Sequence, residues 1–475
     1  MRKLSALALA LVGFGSVAVV AFAATGAVTG PSSSQSPYLV RSMPGVVTKS
    51  IITTGDSAPN GYRMVGIPDG LGAFDNGDGT FTVLMNHEIP DGLGVQRDHG
   101  SAGAFVSKWI VNKDDLSVVS GDDLSKKVFL WENGAYVDQT TVWLRLCSAD
   151  LPALTAFYNA ASGKGYNGRI FMDGEESGAE GRAFGHVATG PSAGSSYQLP
   201  ALGRISWENS VANPSTGDRT VVAGNEDAGG GQIYFYYGDK KTTGNAVEMA
   251  GLTGGNLYGL KVAGLTNETD ATSVADGTEF SLVALGDVTN MTGAQLQAAS
   301  VAGGLSGFQR PEDGSWDPTN PHVYYFVTTA GFNNKSRLWR LTFDDPADPA
   351  AGGTIDELVA GDEGHKMFDN ITVNDRGQVL LQEDVGNNPR LGKIWLYNPA
   401  DDSLTEVAHH DPSRFAAGGS QFITEDEESS GIIPAPFLGA GKYLLDVQNH
   451  KSSPDPELVE GGQLLVLTLP AGVPY

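Results

Sequence analysis

Six short apolar segments in this chain each run into a polar, mostly acidic corner, and that recurrence constrains the fold more than any other feature. They are Thr82-Val83-Leu84-Met85 before Asn86-His87-Glu88, Arg169-Ile170-Phe171-Met172 before Asp173-Gly174-Glu175-Glu176, and Thr220-Val221-Val222-Ala223 before Gly224-Asn225-Glu226-Asp227. The others are Val323–Val327 before Thr328-Thr329, Gln378–Leu381 before Gln382-Glu383-Asp384, and Tyr443–Val447 before Gln448-Asn449-His450. Several are followed by a turn and a second apolar run, as in Gly231-Gln232-Ile233-Tyr234-Phe235, Ser336-Arg337-Leu338-Trp339 and Gly392-Lys393-Ile394-Trp395. Segments of four to six residues bounded by Gly, Asn, Asp and Pro read as strands, with Asp75-Asn76-Gly77-Asp78-Gly79 as a hairpin turn. A strand, an acidic corner and a neighbouring strand, repeated six times, predicts an all-β, six-bladed β-propeller. A pair of large sandwiches is the alternative use of the same strands. Short helical insertions are expected at Leu151–Ala160 and Gly293–Val301, and loops and insertions at 180–200 and 265–305.

The N-terminus carries Arg2-Lys3, an apolar run from Leu4 to Phe22, and Ala21-Phe22-Ala23, the pattern of a secretory signal cleaved after residue 23. The expected organisation is a signal peptide at 1–23, a flexible Ser/Gly/Pro linker at 24–36 and a propeller domain at 37–475. No twin-arginine pair is present, so general secretion to a periplasmic or extracellular space is expected. No later segment is long and apolar enough to span a membrane. The net charge of -25 argues against nucleic acid as a partner and suits cations. The single Cys excludes an intramolecular disulfide framework. A monomer is expected.

In a propeller, equivalent strand ends meet near one mouth of the central channel. Glu88, Glu175, Glu176, Glu226, Asp227, Glu383 and Asp384 would then converge. So many carboxylates cannot remain ionised at close range without cations. Calcium, which takes six to eight oxygens, suits such a set, and His87 and His450 offer nitrogen for a transition metal. The competing reading has each acid capping a turn in solvent. Glu425-Asp426-Glu427-Glu428 reads as a solvated acidic loop.

A second constellation is Phe308-Gln309-Arg310-Pro311-Glu312-Asp313-Gly314. Arg310 can hold an oxyanion with its fork while Glu312 binds a metal. From spacing alone, a structural Arg–Glu pair on a loop is the better reading.

Arg310-Pro311-Glu312-Asp313-Gly314 followed by Trp316-Asp317-Pro318 resembles the signature of the PhoX-type alkaline phosphatases. So do Asn86-His87-Glu88, Glu175-Glu176, Gly224-Asn225-Glu226-Asp227, Phe368-Asp369-Asn370 and Gln382-Glu383-Asp384, in that order. The resemblance implies a six-bladed propeller with Fe3+ and Ca2+ at an axial site that cleaves phosphate monoesters. Arg310 matches the phosphate-contacting arginine and Glu312 a metal ligand; Glu175, Glu176 and Glu226 fall where the family places metal-site acids. The family's iron-ligating Cys is expected immediately before the paired Glu, where this chain has Gly174. Its one thiol, Cys147, lies upstream and reads as buried and inert.

Two functional classes follow. One is a secreted, metal-dependent hydrolase of small phosphate esters, with Arg310 neutralising charge on the phosphoryl group. The other is a non-catalytic, calcium-stabilised propeller, for which Gly174 is the main support. A propeller acting on another ester, as a lactonase or phytase, is a weaker third.

Overall fold

The computed structural model describes residues 26–470. The signal segment at 1–23 lies outside them. Each expected apolar segment forms the second strand of a four-stranded antiparallel blade. Blade 1 is Pro68–Asp75, Thr80–His87, Phe105–Asn112 and Val118–Asp123. Blade 2 is Leu146–Asp150, Ile170–Glu175, Ala183–Val187 and Ser195–Gln198. Blade 3 is Trp207–Ala212, Arg219–Glu226, Ile233–Asp239 and Asn256–Val262. Blade 4 is Pro311–Trp316, Val323–Thr328, Arg337–Phe343 and Gly353–Val359. Blade 5 is Phe368–Val373, Val379–Glu383, Lys393–Asn398 and Ser403–His410. Blade 6 is Glu427–Pro434, Lys442–Asn449 and Gly461–Thr468, completed by Val47–Thr53 from the other end of the chain. Residues from both ends of the described chain therefore close the ring in one sheet.

The inner strands touch in a closed cycle: blade 1 meets 2, then 3, 4, 5 and 6, and blade 6 meets 1. Apolar residues of the strand faces form the cores between blades. Phe235, Trp316, Tyr324 and Phe343 interlock between blades 3 and 4, with ring centroids of Phe235 and Phe343 5.1 Å apart. Each such side chain contributes roughly 1.5–3 kcal/mol by leaving water. Within blade 2, His186 links Asp173 (2.9 Å) to Ser196 (2.7 Å). This network is wholly buried and ties strands together.

Three expectations need correction. Residues 183–198 are the outer strands of blade 2 rather than a loop. The insertion at 265–305 is present as expected, with its helix at Gly293–Gly303 capped by Thr292, and it adds a strand, Thr278–Gly286, that bridges the outer edges of blades 3 and 4. The described part of the expected linker is held, because Ala27–Val28 pairs in parallel with Thr48–Lys49 and Ser34 donates to Asp56. The expected helix after Pro152 is a single turn, Leu154–Phe157.

Candidate metal centre

The centre is built by a repeated irregularity. Each inner strand loses register with its neighbour near its start: between Pro68 and Leu71, Leu146 and Ala149, Trp207 and Asn209, Pro311 and Gly314, Phe368 and Ile371, and, slightly later, Ser430 and Ile433. Such bulges bend a strand and re-aim its side chains. The second residue of each inner strand sits beside or just before the bulge. In blade order these residues are Asp69, Cys147, Glu208, Glu312, Asp369 and Glu428.

Their ligand atoms converge. Asp69, Glu88 and Cys147 offer atoms all within 4.8 Å of one another; so do Cys147, Glu176 and Glu208, and so do Glu208, Glu312 and Asp369. Cys147 and Glu208 each belong to two of these groups, so the three are continuous. Gln448 closes the other side by donating to Asp69 (2.9 Å) and Glu428 (3.4 Å).

The second strands add an outer set of groups, and period-two alternation decides which corner residue joins it. The residue just after each strand turns to the mouth: Glu88, Glu176, Asp227, Thr329, Asp384 and His450. The last residue within the strand turns aside. Thus Glu175 pairs with Arg182 (2.6 Å), Glu383 pairs with Arg390 (2.6 Å), and Glu226 accepts from the Gln232 backbone (3.1 Å). His87 stacks on Phe105 and bonds Ser107, and burial pushes its pKa down to about 3. Of the predicted metal residues, the structure therefore brings Glu88, Glu176 and Glu312 into the converging groups. Asp227 and Asp384 stand beside them, and Glu175, Glu226 and Glu383 are engaged elsewhere.

Arg310 lies over this assembly. Its Nε and Nη2 donate to the two Asp227 oxygens at 2.8 and 2.7 Å, and Nη2 is 3.1 Å from Glu312. Its φ of 60° is left-handed, which costs a non-glycine residue about 1–2 kcal/mol. His450 bridges Glu428 (3.6 Å) and Glu460 (2.8 Å). Although burial opposes its charge, those two carboxylates raise its pKa to about 11.

The remaining acids are poorly compensated. Burial, then neighbouring carboxylates, push Asp69, Glu312 and Asp369 well above the usual range, and Glu208 rises to about 8. Asp69 Oδ1, Glu208 Oε1 and Asp369 Oδ1 are buried without a hydrogen-bond partner, and Glu312 Oε1 has only its ion pair with Arg310. Unpaired buried carboxylate oxygens are costly, so their convergence fits cations. The oxygen-only group Glu208, Glu312, Asp369 suits a hard ion such as calcium, and the groups containing Cys147 add a thiolate that favours a transition metal such as iron.

Three readings of individual residues change. A Cβ on Gly174 would overlap Trp207, so this position is filled by the next blade's indole and is no vacancy in a ligand set. Cys147 is one of the converging groups, 3.6 Å from Asp69. Glu427 and Glu428 begin the inner strand of blade 6 and are buried rather than solvated. Asp69, Cys147 and Glu208 were thus missed as candidate ligands and Glu428 as their neighbour, and Asp369 was noted only within a motif. The signal that finds them is an apolar or acidic residue, then the ligand, then a small or polar residue: Pro-Asp-Gly, Leu-Cys-Ser, Trp-Glu-Asn, Pro-Glu-Asp, Phe-Asp-Asn and Glu-Glu-Ser.

With this geometry established, comparison with known proteins is informative. Residues 176–407 match the model of a family described as alkaline phosphatase PhoX. Among solved structures, Pseudomonas fluorescens PhoX in complex with vanadate, a transition state analogue, superposes with a TM-score of 0.63 at 13% identity, covering 90% of this chain and 95% of that one. A NanB sialidase variant from Streptococcus pneumoniae (TM-score 0.36, 9% identity, 85% and 68% covered) is a more distant similarity. The β-propeller domain of the Trilobed protease from Pyrococcus furiosus (TM-score 0.32, 6% identity, 82% and 93% covered) is another. No curated protein matches the chain significantly. The family match spans the Arg310 signature and the Glu208, Glu312, Asp369 group, and the superposition shows that the propeller fold is shared, so residues 176–407 carry the sequence pattern of the PhoX alkaline phosphatase family on that fold.

Proposed function

We propose that the protein is an exported, metal-dependent phosphatase that hydrolyses small phosphate esters at the axial centre. The observation that carries this reading is the convergence of unpartnered carboxylate oxygens beneath a half-exposed arginine. Asp69, Glu88, Cys147, Glu176, Glu208, Glu312 and Asp369 would hold the metal ions, calcium at the oxygen-only group and iron beside Cys147. When bound, such ions supply Lewis-acid polarisation of the phosphoryl group.

The chain's own contribution is positioning and charge. Asp227 and Glu312 hold the Arg310 guanidinium by Nε and Nη2, leaving Nη1 for a phosphoryl oxygen. A fixed guanidinium is already oriented when negative charge builds on the transferred group. Buried walls keep the local dielectric low, which strengthens this interaction. Export rests on the signal pattern at 1–23 and on the expected organisation of the mature chain. Among the described residues, no helix is long and apolar enough to cross a membrane. The non-catalytic reading loses its main support, because Gly174 lies against Trp207 and Cys147 stands with the carboxylates.

The test is phosphate release from an aryl phosphate by protein purified without chelators. Turnover should disappear with chelation and fall about 100- to 1000-fold in Arg310→Ala. Bound metal with no turnover on mono- or diesters would favour a binding module instead.

A further inference from the structure

The residue preceding each inner strand occupies an equivalent lead-in turn, and in four blades that turn is left-handed: Ile67 (φ 52°), Arg145 (φ 44°), Arg310 (φ 60°) and Met367 (φ 43°). The strain therefore belongs to the turn, and the side chain placed there is what differs. In blades 2 and 4 it is arginine. Arg145 repeats the attachment of Arg310. Its Nε donates to Glu88 (2.6 Å), the corner acid of the preceding blade, as Arg310 Nε donates to Asp227, also the corner acid of the preceding blade. Its Nη2 is 2.9 Å from Glu176, and Arg310 Nη2 is 3.1 Å from Glu312. The two side chains are similarly exposed, 51% and 41%. Each leaves Nη1 outside these pairs.

The two guanidiniums flank one carboxylate. Glu176 and Glu312 each offer an oxygen within 4.8 Å of a Glu208 oxygen. A path of short contacts thus runs from Arg145 through Glu176, Glu208 and Glu312 to Arg310. A structural role alone gives no reason to leave half of Arg145 in solvent, and two fixed forks on either side of Glu208 present donors to one anion from two directions.

We propose that Arg145 is a second oxyanion-binding residue, contacting the non-bridging oxygens of a tetrahedral phosphoryl group from the side opposite Arg310. This rests on the phosphatase reading for its substrate, but binding of the anion can be measured separately.

The experiment is calorimetric titration of the metal-loaded protein with inorganic phosphate, alongside aryl phosphate hydrolysis and elemental analysis, for wild type, Arg145→Ala and Arg145→Lys. Removing the fork should weaken phosphate binding about 10- to 100-fold and lower kcat/KM, with metal content unchanged and Lys restoring part of the loss. Unchanged phosphate affinity in Arg145→Ala would overturn the proposal. So would a loss that tracks metal content and is cured by added metal, which is the behaviour of a structural residue. Should wild type bind phosphate in an Arg145-dependent way yet turn over no ester, this inference stands and the phosphatase reading falls. Should wild type hydrolyse the ester while phosphate binding ignores Arg145, the inference falls alone. Absence of both binding and turnover would sink both.

Discussion

Two sets of buried acids lie within a residue or so of each other in this propeller, and they are satisfied in opposite ways. Between the strands, Glu175 meets Arg182, Glu383 meets Arg390, and Glu268 meets Arg337, each at 2.6 Å. At the axis, the carboxylates of Asp69, Glu88, Glu176, Glu208, Asp227, Glu312, Asp369, Asp384 and Glu428 and the thiol of Cys147 share, among the described residues, the cations Arg145, Arg310 and His450. The first set is complete within the chain. The second keeps unpartnered oxygens on three of its members. Burial alone therefore does not mark a functional acid; a shortage of internal cations does.

The largest effect that separates the two sets is chelation. Withdrawing metal ions from the axial set should lower stability by about 3–4 kcal/mol if the ions stand 100- to 1000-fold above Kd, and should abolish phosphate release. Thermal unfolding with and without chelator reads this directly. An unchanged melting temperature would mean that the axial acids are satisfied some other way.

Next come paired substitutions. Glu383→Gln should destabilise by about 1.5–3 kcal/mol, because the partly exposed Arg390 loses its charged partner, while bound metal is retained. Glu312→Gln should do the reverse, losing metal and activity while leaving the metal-free protein no less stable. Chemical denaturation and elemental analysis of both variants would expose any failure of this reciprocity.

The sets also differ in their response to pH. Burial, then neighbouring carboxylates, raise Glu208 to about 8, and burial with Glu428 raises Asp384 to about 7. In the metal-free protein the folded state thus binds more protons than the unfolded state between about pH 4 and 8. Stability from these groups is complete below the unfolded carboxyl range and is lost as pH rises through 7 to 8. In the metal-loaded protein, protons compete with metal, so stability should instead fall as pH decreases. Unfolding curves from pH 5 to 9 should slope in opposite directions for the two forms; parallel slopes would count against cation control.

The smallest effect concerns Gly174. Since its Cβ direction is filled by Trp207, Gly174→Cys should cost about 1–3 kcal/mol through overpacking and add no metal. A gain of bound iron would restore this position to the ligand set.

Much of the architecture was legible because the second strands are long, apolar and regular. Their alternation survives in sequence, and all six lie where the segments predicted. The centre was half legible for the same reason. Corner acids such as Glu88 and Glu176 follow visible strands, but choosing between Glu175 and Glu176 requires knowing where the strand ends, since one step reverses the face. The inner strands were opaque. They are polar at the start and bulged near the second residue, and three of them carry Gly and Pro, which removes the period that would have announced them. Cys147 and Glu428 are the clearest cases: one lies in an unremarkable Leu-Cys-Ser, the other in an acidic run resembling solvated surface.

The central claim is that the second residues of the inner strands, with Glu88 and Glu176 just past the second strands, form the metal centre, rather than the last acids within the second strands. The most direct measurement is metal-to-protein stoichiometry by elemental analysis for wild type, Glu208→Ala and Glu175→Gln, all purified without chelators. The account predicts metal bound in wild type, most of it lost from Glu208→Ala, and wild-type content in Glu175→Gln. Metal-free wild type, or loss from Glu175→Gln with none from Glu208→Ala, would contradict it.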